Sequence, residues 1–184
     1  EDSNHTLWVG TYYNGLAALD TRTNQCRFLP QLAGQRIKSM VEDSRKNLYI
    51  SVFGVGLKGY NLSTGKVWEL ASAAPETRGL MKNRWINVLL CDSKDLIWIG
   101  NYKGISCYDA RNDRYIKIQG DSVMDSHVCY SLLEDRNGDI WMGTNNGLYT
   151  WSREQETFRR FSTEDGLSNN VICGLAEDKD GNIW

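Results

Sequence analysis

Apolar and polar positions alternate along the chain in short blocks: aromatic-centred runs of a few residues, then polar breaks carrying glycine or aspartate. Leu7-Trp8-Val9, Leu48-Tyr49-Ile50, Ile97-Trp98-Ile99 and Ile140-Trp141-Met142 are such runs, and another begins at Ile183-Trp184. They are short and rich in aromatic and β-branched residues, which predicts strands rather than helices. One stretch resolves into four predicted strands: 128–133, 139–144, 147–151 and 157–161. Asp135-Arg136-Asn137-Gly138 and Asp178-Lys179-Asp180-Gly181 read as hairpin turns, with glycine accepting positive φ and aspartate capping the backbone. The second strand of each set is apolar at consecutive positions, so both of its faces are expected to be covered.

The pattern recurs. Successive central aromatics, Trp8, Tyr49, Trp98, Trp141 and Trp184, lie 41, 49, 43 and 43 residues apart, and an aspartate stands six positions before each: Asp2, Asp43, Asp92, Asp135 and Asp178. Four-stranded antiparallel units of this length, each covered on both faces by its neighbours, predict an all-β protein, a β-propeller. The expected repeats run over about 1–41, 42–90, 91–133, 134–176 and the start of a fifth at 177–184, giving about four blades in this chain within a single propeller fragment. The central tryptophan is expected to wedge between blades. In this phase the chain holds a second-to-fourth-strand set, three complete sets and a spare first strand, Val171 to Ala176. That strand has two expected fates: completing the first blade of a closed four-bladed ring, or belonging to an arc of a larger ring, the favoured reading. An arc exposes apolar blade faces and is expected to self-associate.

A formal charge of −2, with 21 basic and 23 acidic residues spread along the chain, gives no reason to expect nucleic acid or an anionic membrane as partner. No apolar run is long enough to span a bilayer, so no membrane contact by this segment is expected. Glu1-Asp2 looks like neither a signal peptide nor a natural start, and the chain is expected to be a piece of something longer. Cys26, Cys91, Cys107, Cys129 and Cys173 are odd in number and lack a CxxC pair, which predicts buried free thiols rather than a zinc site or a disulfide framework. Asn4-His5-Thr6 and Asn61-Leu62-Ser63 match the glycosylation sequon, a pattern too short to carry weight.

The stretches SLLEDRNGDIWMGTNNGLYTW and FSTEDGLSNNVICGLAEDKDGNIW resemble the two-component regulator propeller repeat, in which an E-D-x-x-G turn precedes W-I-G-T, then G-L, an aromatic strand and a G-L-x-x-N-x-I turn. Gly166-Leu167-Ser168-Asn169-Asn170-Val171-Ile172 fits that last turn, and Gly79 to Asn83 fits its start. The second repeat departs with Tyr49, Ser51 and an insertion around Ala71 to Arg84; the third carries Asn101 for threonine and Asp121 to His127 in place of the glycine-leucine turn. The resemblance implies the periplasmic sensor region of a bacterial membrane-spanning regulator, often a hybrid histidine kinase controlling polysaccharide use. It also implies an oligosaccharide signal and, as neighbours, further propeller blades and a β-sandwich domain. The kinase histidine, nucleotide site and receiver aspartate of such regulators have no counterpart here.

Chain direction alone puts the second-to-third and fourth-to-first strand connections on one rim. That rim collects Tyr12, Tyr13, Asn14, Phe53, Tyr102, Lys103, Asn145 and Asn146, with Arg84, Trp85 and His127 on the longer segments. Aromatic rings with amide and cationic groups suit a sugar, whose C–H faces stack while its hydroxyls hydrogen-bond. Tyr12, Tyr13, Tyr102, Lys103, Arg84, Trp85, His127 and Asn145 are therefore the candidate ligand residues; for Trp85, which opens a strand, burial in the core competes with that role. No cofactor is expected. His127 stands alone, without the second ligand a metal needs, and the aspartate turns lack the length and terminal glutamate of an EF-hand loop. With two histidines and no nucleophile elbow or phosphate loop, no catalytic constellation assembles. A non-catalytic scaffold for dimerisation or interdomain contact is the first alternative, and a propeller lyase or hydrolase the second.

Overall fold

A computed structural model describes residues 1–2, 5–70 and 84–184. The insertion at 71–83, with the Gly79 to Asn83 motif, and Asn4 of the first sequon lie outside the described residues. The first sheet has three antiparallel strands, β1 (Thr6–Gly10), β2 (Leu16–Asp20) and β3 (Gln25–Phe28). Three sheets of four antiparallel strands follow. They comprise β4 (Ile37–Glu42), β5 (Asn47–Val52), β6 (Gly56–Asn61) and β7 (Val67–Glu69); β8 (Ile86–Cys91), β9 (Leu96–Asn101), β10 (Gly104–Asp109) and β11 (Arg114–Ile116); and β12 (Cys129–Glu134), β13 (Ile140–Thr144), β14 (Gly147–Ser152) and β15 (Thr157–Phe161). Strands within each sheet are in sequence order, and the first strands of successive sheets pack side by side, β4 against β8 and β8 against β12. Four blades thus stand side by side along one arc.

The consecutive apolar residues of the second strands serve two different interfaces, because side chains alternate across a strand. On β5, Leu48 and Ile50 join the core shared with the first blade, whereas Tyr49 joins the core shared with the third. On β9, Ile97 and Ile99 face the second blade and Trp98 faces the fourth. Trp98 is fully buried, its ring 5.2 Å from that of Trp151 in the next blade. The wedge expected from sequence is therefore present at Trp98. Trp141 is half-buried, stacked on Phe161 of its own blade at 5.9 Å.

The glycine that follows the aromatic by two positions has a packing cause. A methyl group on Gly100 would come within 2.6 Å of Val88 Cγ1 and 2.7 Å of Cys129 Sγ, so the first strand of the next blade can approach only a bare backbone. In the second blade Ser51 occupies this place and uses its hydroxyl to accept the Ser39 N–H at 3.0 Å.

Two expectations need correction. Residues 171–176 form no strand and do not complete the first sheet, so the four-bladed ring is not formed. Ala176 instead exchanges backbone hydrogen bonds with Trp184, and the Ile172 N–H reaches the Thr144 carbonyl at 2.8 Å. Nor are all the thiols buried: Cys107 and Cys129 are, Cys91 is partly so, and Cys26 and Cys173 are exposed. Cys26 lies on β3, which is exposed throughout, and Cys173 lies in the unpaired segment.

Candidate functional site

The two rims of the arc differ in chemistry. On the rim of first-to-second strand turns, the aspartate six residues before each aromatic has a double role. Asp92 Oδ1 accepts the N–H groups of Lys94 and Leu96, and its Oδ2 accepts the Trp98 indole N–H at 2.9 Å. Asp135 holds Trp141, Asp2 holds Trp8 and Asp178 holds Trp184 in the same way, at 2.8, 2.8 and 2.9 Å. Where tyrosine replaces tryptophan, the Tyr49 hydroxyl donates to Asp43 at 3.3 Å. The carboxylate therefore closes the turn and satisfies the buried polar edge of the wedge, which a buried indole requires. At Asp178 these donors, led by the Trp184 indole and the Asn182 side chain, hold the carboxyl well below the usual carboxylate range.

A second device on this rim ties neighbouring blades. Ser93 donates its N–H and hydroxyl to Glu134 of the next blade, both at 2.7 Å, and Arg136 donates its N–H and Nε to Glu177 at 3.1 and 2.6 Å. At the equivalent place in the third blade stands Cys91, which cannot accept in this way. Asp95 substitutes, taking the Ser44 N–H and hydroxyl at 3.0 and 2.6 Å. Between the third and fourth blades, Arg153 also pairs with buried Asp92 at 2.8 Å and with Glu134 at 3.3 Å. The clustered acids of this rim are thus bound to turn N–H groups, ring donors and neighbouring blades, which is structural work. Sequence reasoning assigned these aspartates to turn capping and missed the indole bond and the cross-blade glutamate; the six-residue spacing and the glutamate before Asp135 and Asp178 were the available signals.

The opposite rim carries the candidate ligand residues. Phe53, Trp85 and Tyr102, from the second blade's hairpin, the segment entering β8 and the third blade's hairpin, meet as one aromatic cluster. Phe53 and Trp85 lie nearly parallel with centroids 6.3 Å apart, and Tyr102 meets them edge-on at 6.2 and 5.8 Å. The Tyr102 N–H donates to the Trp85 carbonyl at 3.3 Å, fixing the hairpin to the neighbouring segment. Trp85 is 51% exposed and Tyr102 39%, so Trp85 is a surface ring and not core. The exposed Lys38 places its Nζ 5.9 Å from the Phe53 ring centre. Arg84 and Lys103, each exposed, flank Trp85 and Tyr102 in sequence.

The other candidates fall into two further groups. Tyr12 and Tyr13 pack edge-on at 4.8 Å, with the Arg36 guanidinium 4.9 Å from the Tyr12 ring centre. Arg36 also joins the first two groups through its backbone, its carbonyl accepting the Phe53 N–H at 2.9 Å. His127 contacts the Asn146 side chain at 3.0 Å and leans on Tyr149, whereas Asn145 caps the Val128 N–H at 2.9 Å. Sequence reasoning did not select Arg36 and Lys38; their place at the entry to β4, beside the Tyr12 and Phe53 hairpins, was the signal.

Blades of four antiparallel strands, stacked face to face around a shared row of first strands, define this protein as part of a β-propeller. The family model described as two component regulator propeller matches residues 122–146 and 166–184, within the third and fourth repeats and the start of the fifth. The structure is similar to the extracellular domain of BT3049 from B. thetaiotaomicron, assigned to a hybrid two component system, with TM-score 0.78 and 23% identity over 98% of this chain and 23% of that one. It is equally similar to the extracellular domain of BT4673 from the same organism, described with a one component system in one structure and a hybrid two component system in another; for the first, the TM-score is 0.78 and identity 25%, over 100% of this chain and 25% of that one. The computationally designed Ika8 protein superposes with TM-score 0.70 at 13% identity, covering 100% of this chain and 55% of that one. No curated protein sequence matches the chain. The chain spans about a quarter of the length of the two bacterial extracellular domains.

Proposed function

We propose that this propeller segment is the extracytoplasmic, periplasmic sensing part of a bacterial two-component regulator, and that it recognises an oligosaccharide released by polysaccharide breakdown. The observation that supports the ligand is the cluster on one rim in which half-buried Phe53 meets the exposed rings of Trp85 and Tyr102, with the Tyr102 N–H bonded to the Trp85 carbonyl. Such a platform offers C–H stacking with little ordering cost on binding. The repeats and the extracellular setting of the similar structures support the cellular role. Binding would be passed on by rigid-body rearrangement of blades or protomers.

Titration calorimetry of the chain against an oligosaccharide panel tests this reading. Saturable heat with at least one glycan is expected, and Trp85→Ala should weaken it about tenfold, which is about 1.4 kcal/mol. Absence of heat with every glycan refutes it. Turnover of those glycans during the titration would favour the lyase or hydrolase instead. The scaffold reading rests on other residues: Leu7 and Val9 at one end of the arc are 38% and 41% exposed, and Trp184 at the other is 75% exposed. Concentration-dependent association in sedimentation without glycan binding would favour it.

A further inference from the structure

Resting on the glycan reading, we infer that the ligand of the Phe53–Trp85–Tyr102 platform is an acidic oligosaccharide, one bearing carboxylate or sulfate groups. The chain as a whole is slightly acidic, at −2, yet cations collect around these rings. Lys38 lies beside Phe53, Arg36 beside Tyr12 and bonded through its carbonyl to Phe53, Arg84 next to Trp85 and Lys103 next to Tyr102. All four are exposed, and none of them forms an ion pair among the described residues. The opposite rim treats its arginines differently. Arg45, Arg111, Arg136 and Arg153 there are each matched to a carboxylate.

The described acids on the ligand rim are Glu69, at the end of β7 and paired with Lys58 at 3.6 Å, and those in the short turns Asp121–Met124 and Thr163–Asp165 and at Asp125, on the side of the third and fourth blades. Asp121 and Asp125 already have partners within the protein, and Asp165 is used in capping its own turn through Ser162. The strip from Tyr12 to Trp85 therefore carries rings together with cations that form no ion pair among the described residues. Neutral sugars need only the rings. The charges add attraction for anions, and because they sit at the surface this contribution is screened by salt. A saccharide that carries anionic groups as well as stacking faces engages both the cations and the rings, whereas a neutral one engages the rings alone.

The test compares three galactose-based series of equal length by calorimetry on the intact chain: neutral galacto-oligosaccharides, oligogalacturonides and sulfated galacto-oligosaccharides. At about 50 mM NaCl the better acidic series should bind about tenfold tighter than the neutral one, and the advantage should shrink at about 300 mM. Lys38→Ala, and more so with Arg36→Ala, should erase the preference for acid, Lys38→Arg should restore it, and Trp85→Ala should weaken all series together. Which acidic series binds distinguishes carboxylate from sulfate. Equal or tighter binding of the neutral series overturns this inference and leaves the glycan reading standing, as does an acid preference that survives the double variant. No binding by any series overturns both.

Discussion

Replacing Asp92 by alanine isolates the bond that seats the wedge. The Asp92 side chain is fully buried and accepts from the Lys94 and Leu96 N–H groups, the Trp98 indole and Arg153. Lys94 is exposed, so water replaces that acceptor. Trp98 is 0% exposed and cannot recruit water without opening the interface. Leaving its N–H unpaired costs about 1–3 kcal/mol. Arg153, 15% exposed, keeps Glu134 and the Gly138 carbonyl but loses its closest carboxylate, and breaking a buried pair typically raises the total to about 3–5 kcal/mol. With a urea slope of about 2 kcal/mol/M, the midpoint should fall by about 2 M in equilibrium unfolding followed by tryptophan fluorescence. Trp98→Phe removes the orphaned donor, so the double variant should be less destabilised than the two single changes sum to, by about 1–2 kcal/mol. Asp178→Ala removes the same bonds from the exposed Trp184 and should leave the main transition in place. A loss below about 1 kcal/mol in Asp92→Ala, or strict additivity with Trp98→Phe, would refute the seating role.

Asp95 links the second and third blades, and its stability contribution has a sign fixed by its pKa. Burial raises that pKa, but the Ser44 hydroxyl and N–H and the Arg111 guanidinium outweigh burial and hold the carboxyl below its ordinary value. The stabilisation is therefore present above the unfolded value near about 4 and lost as pH falls through the lower folded value. Asp95→Asn should flatten the acid limb of an unfolding titration, and an unchanged limb would count against the link. Thiol alkylation followed by mass spectrometry should modify Cys26 and Cys173 first. Burial pushes the Cys129 thiol up to about 12, and burial with the nearby Asp95 and Asp92 carboxylates does the same for Cys91, while Cys107 is pushed higher still. Equal labelling of Cys107 and Cys26 would contradict the blade stacking. Gly100→Ala should cost about 1–3 kcal/mol by overpacking against Val88 and Cys129, whereas Ser51→Ala, losing one hydroxyl acceptor, should cost about 1 kcal/mol. Urea midpoints of the two variants check both.

Strand positions were legible in the sequence because the periodicities that fix them are local. The runs around Tyr49, Trp98 and Trp141 became β5, β9 and β13, and the Asp135–Gly138 turn closes as expected, with the Gly138 N–H on the Asp135 carbonyl at 2.9 Å. Contacts between repeats were not legible, since they join positions about 40 to 50 residues apart. Ser93 to Glu134 and Ser44 to Asp95 are examples, and the second even uses a different position from the first to fill the place of Cys91. The fate of 171–176 was likewise unreadable, because an apolar run becomes a strand only when a partner stands in register beside it. On the ligand rim, Trp85 could not be told from a core aromatic by its place at the start of β8. Its exposure follows from where the chain crosses the rim before entering the sheet.

The two rims divide the labour of the repeat. Every repeat must close its first turn, seat its aromatic and hold its neighbour, so the rim that carries Asp43, Asp92, Asp135 and Asp178 repeats the same bonds with few substitutes. The opposite rim has no such obligation: its hairpins need only reverse the chain, and they do so with different means. Thr11 and Thr144 tie their hairpins by donating to the Gly15 and Gly147 carbonyls, whereas Asn101 uses its Oδ1 to accept the Lys103 N–H and leaves its buried Nδ2 without a partner among the described residues. An unsatisfied buried donor is a cost the fold did not require. It occurs at the base of the Tyr102 hairpin, within the aromatic platform. Departure from the repeat at that point, where rings and cations also gather, favours the proposed ligand role of this rim over one that only spaces the blades, although Ser131 Oγ and Trp151 Nε1 in the fourth blade are likewise buried without a partner among the described residues.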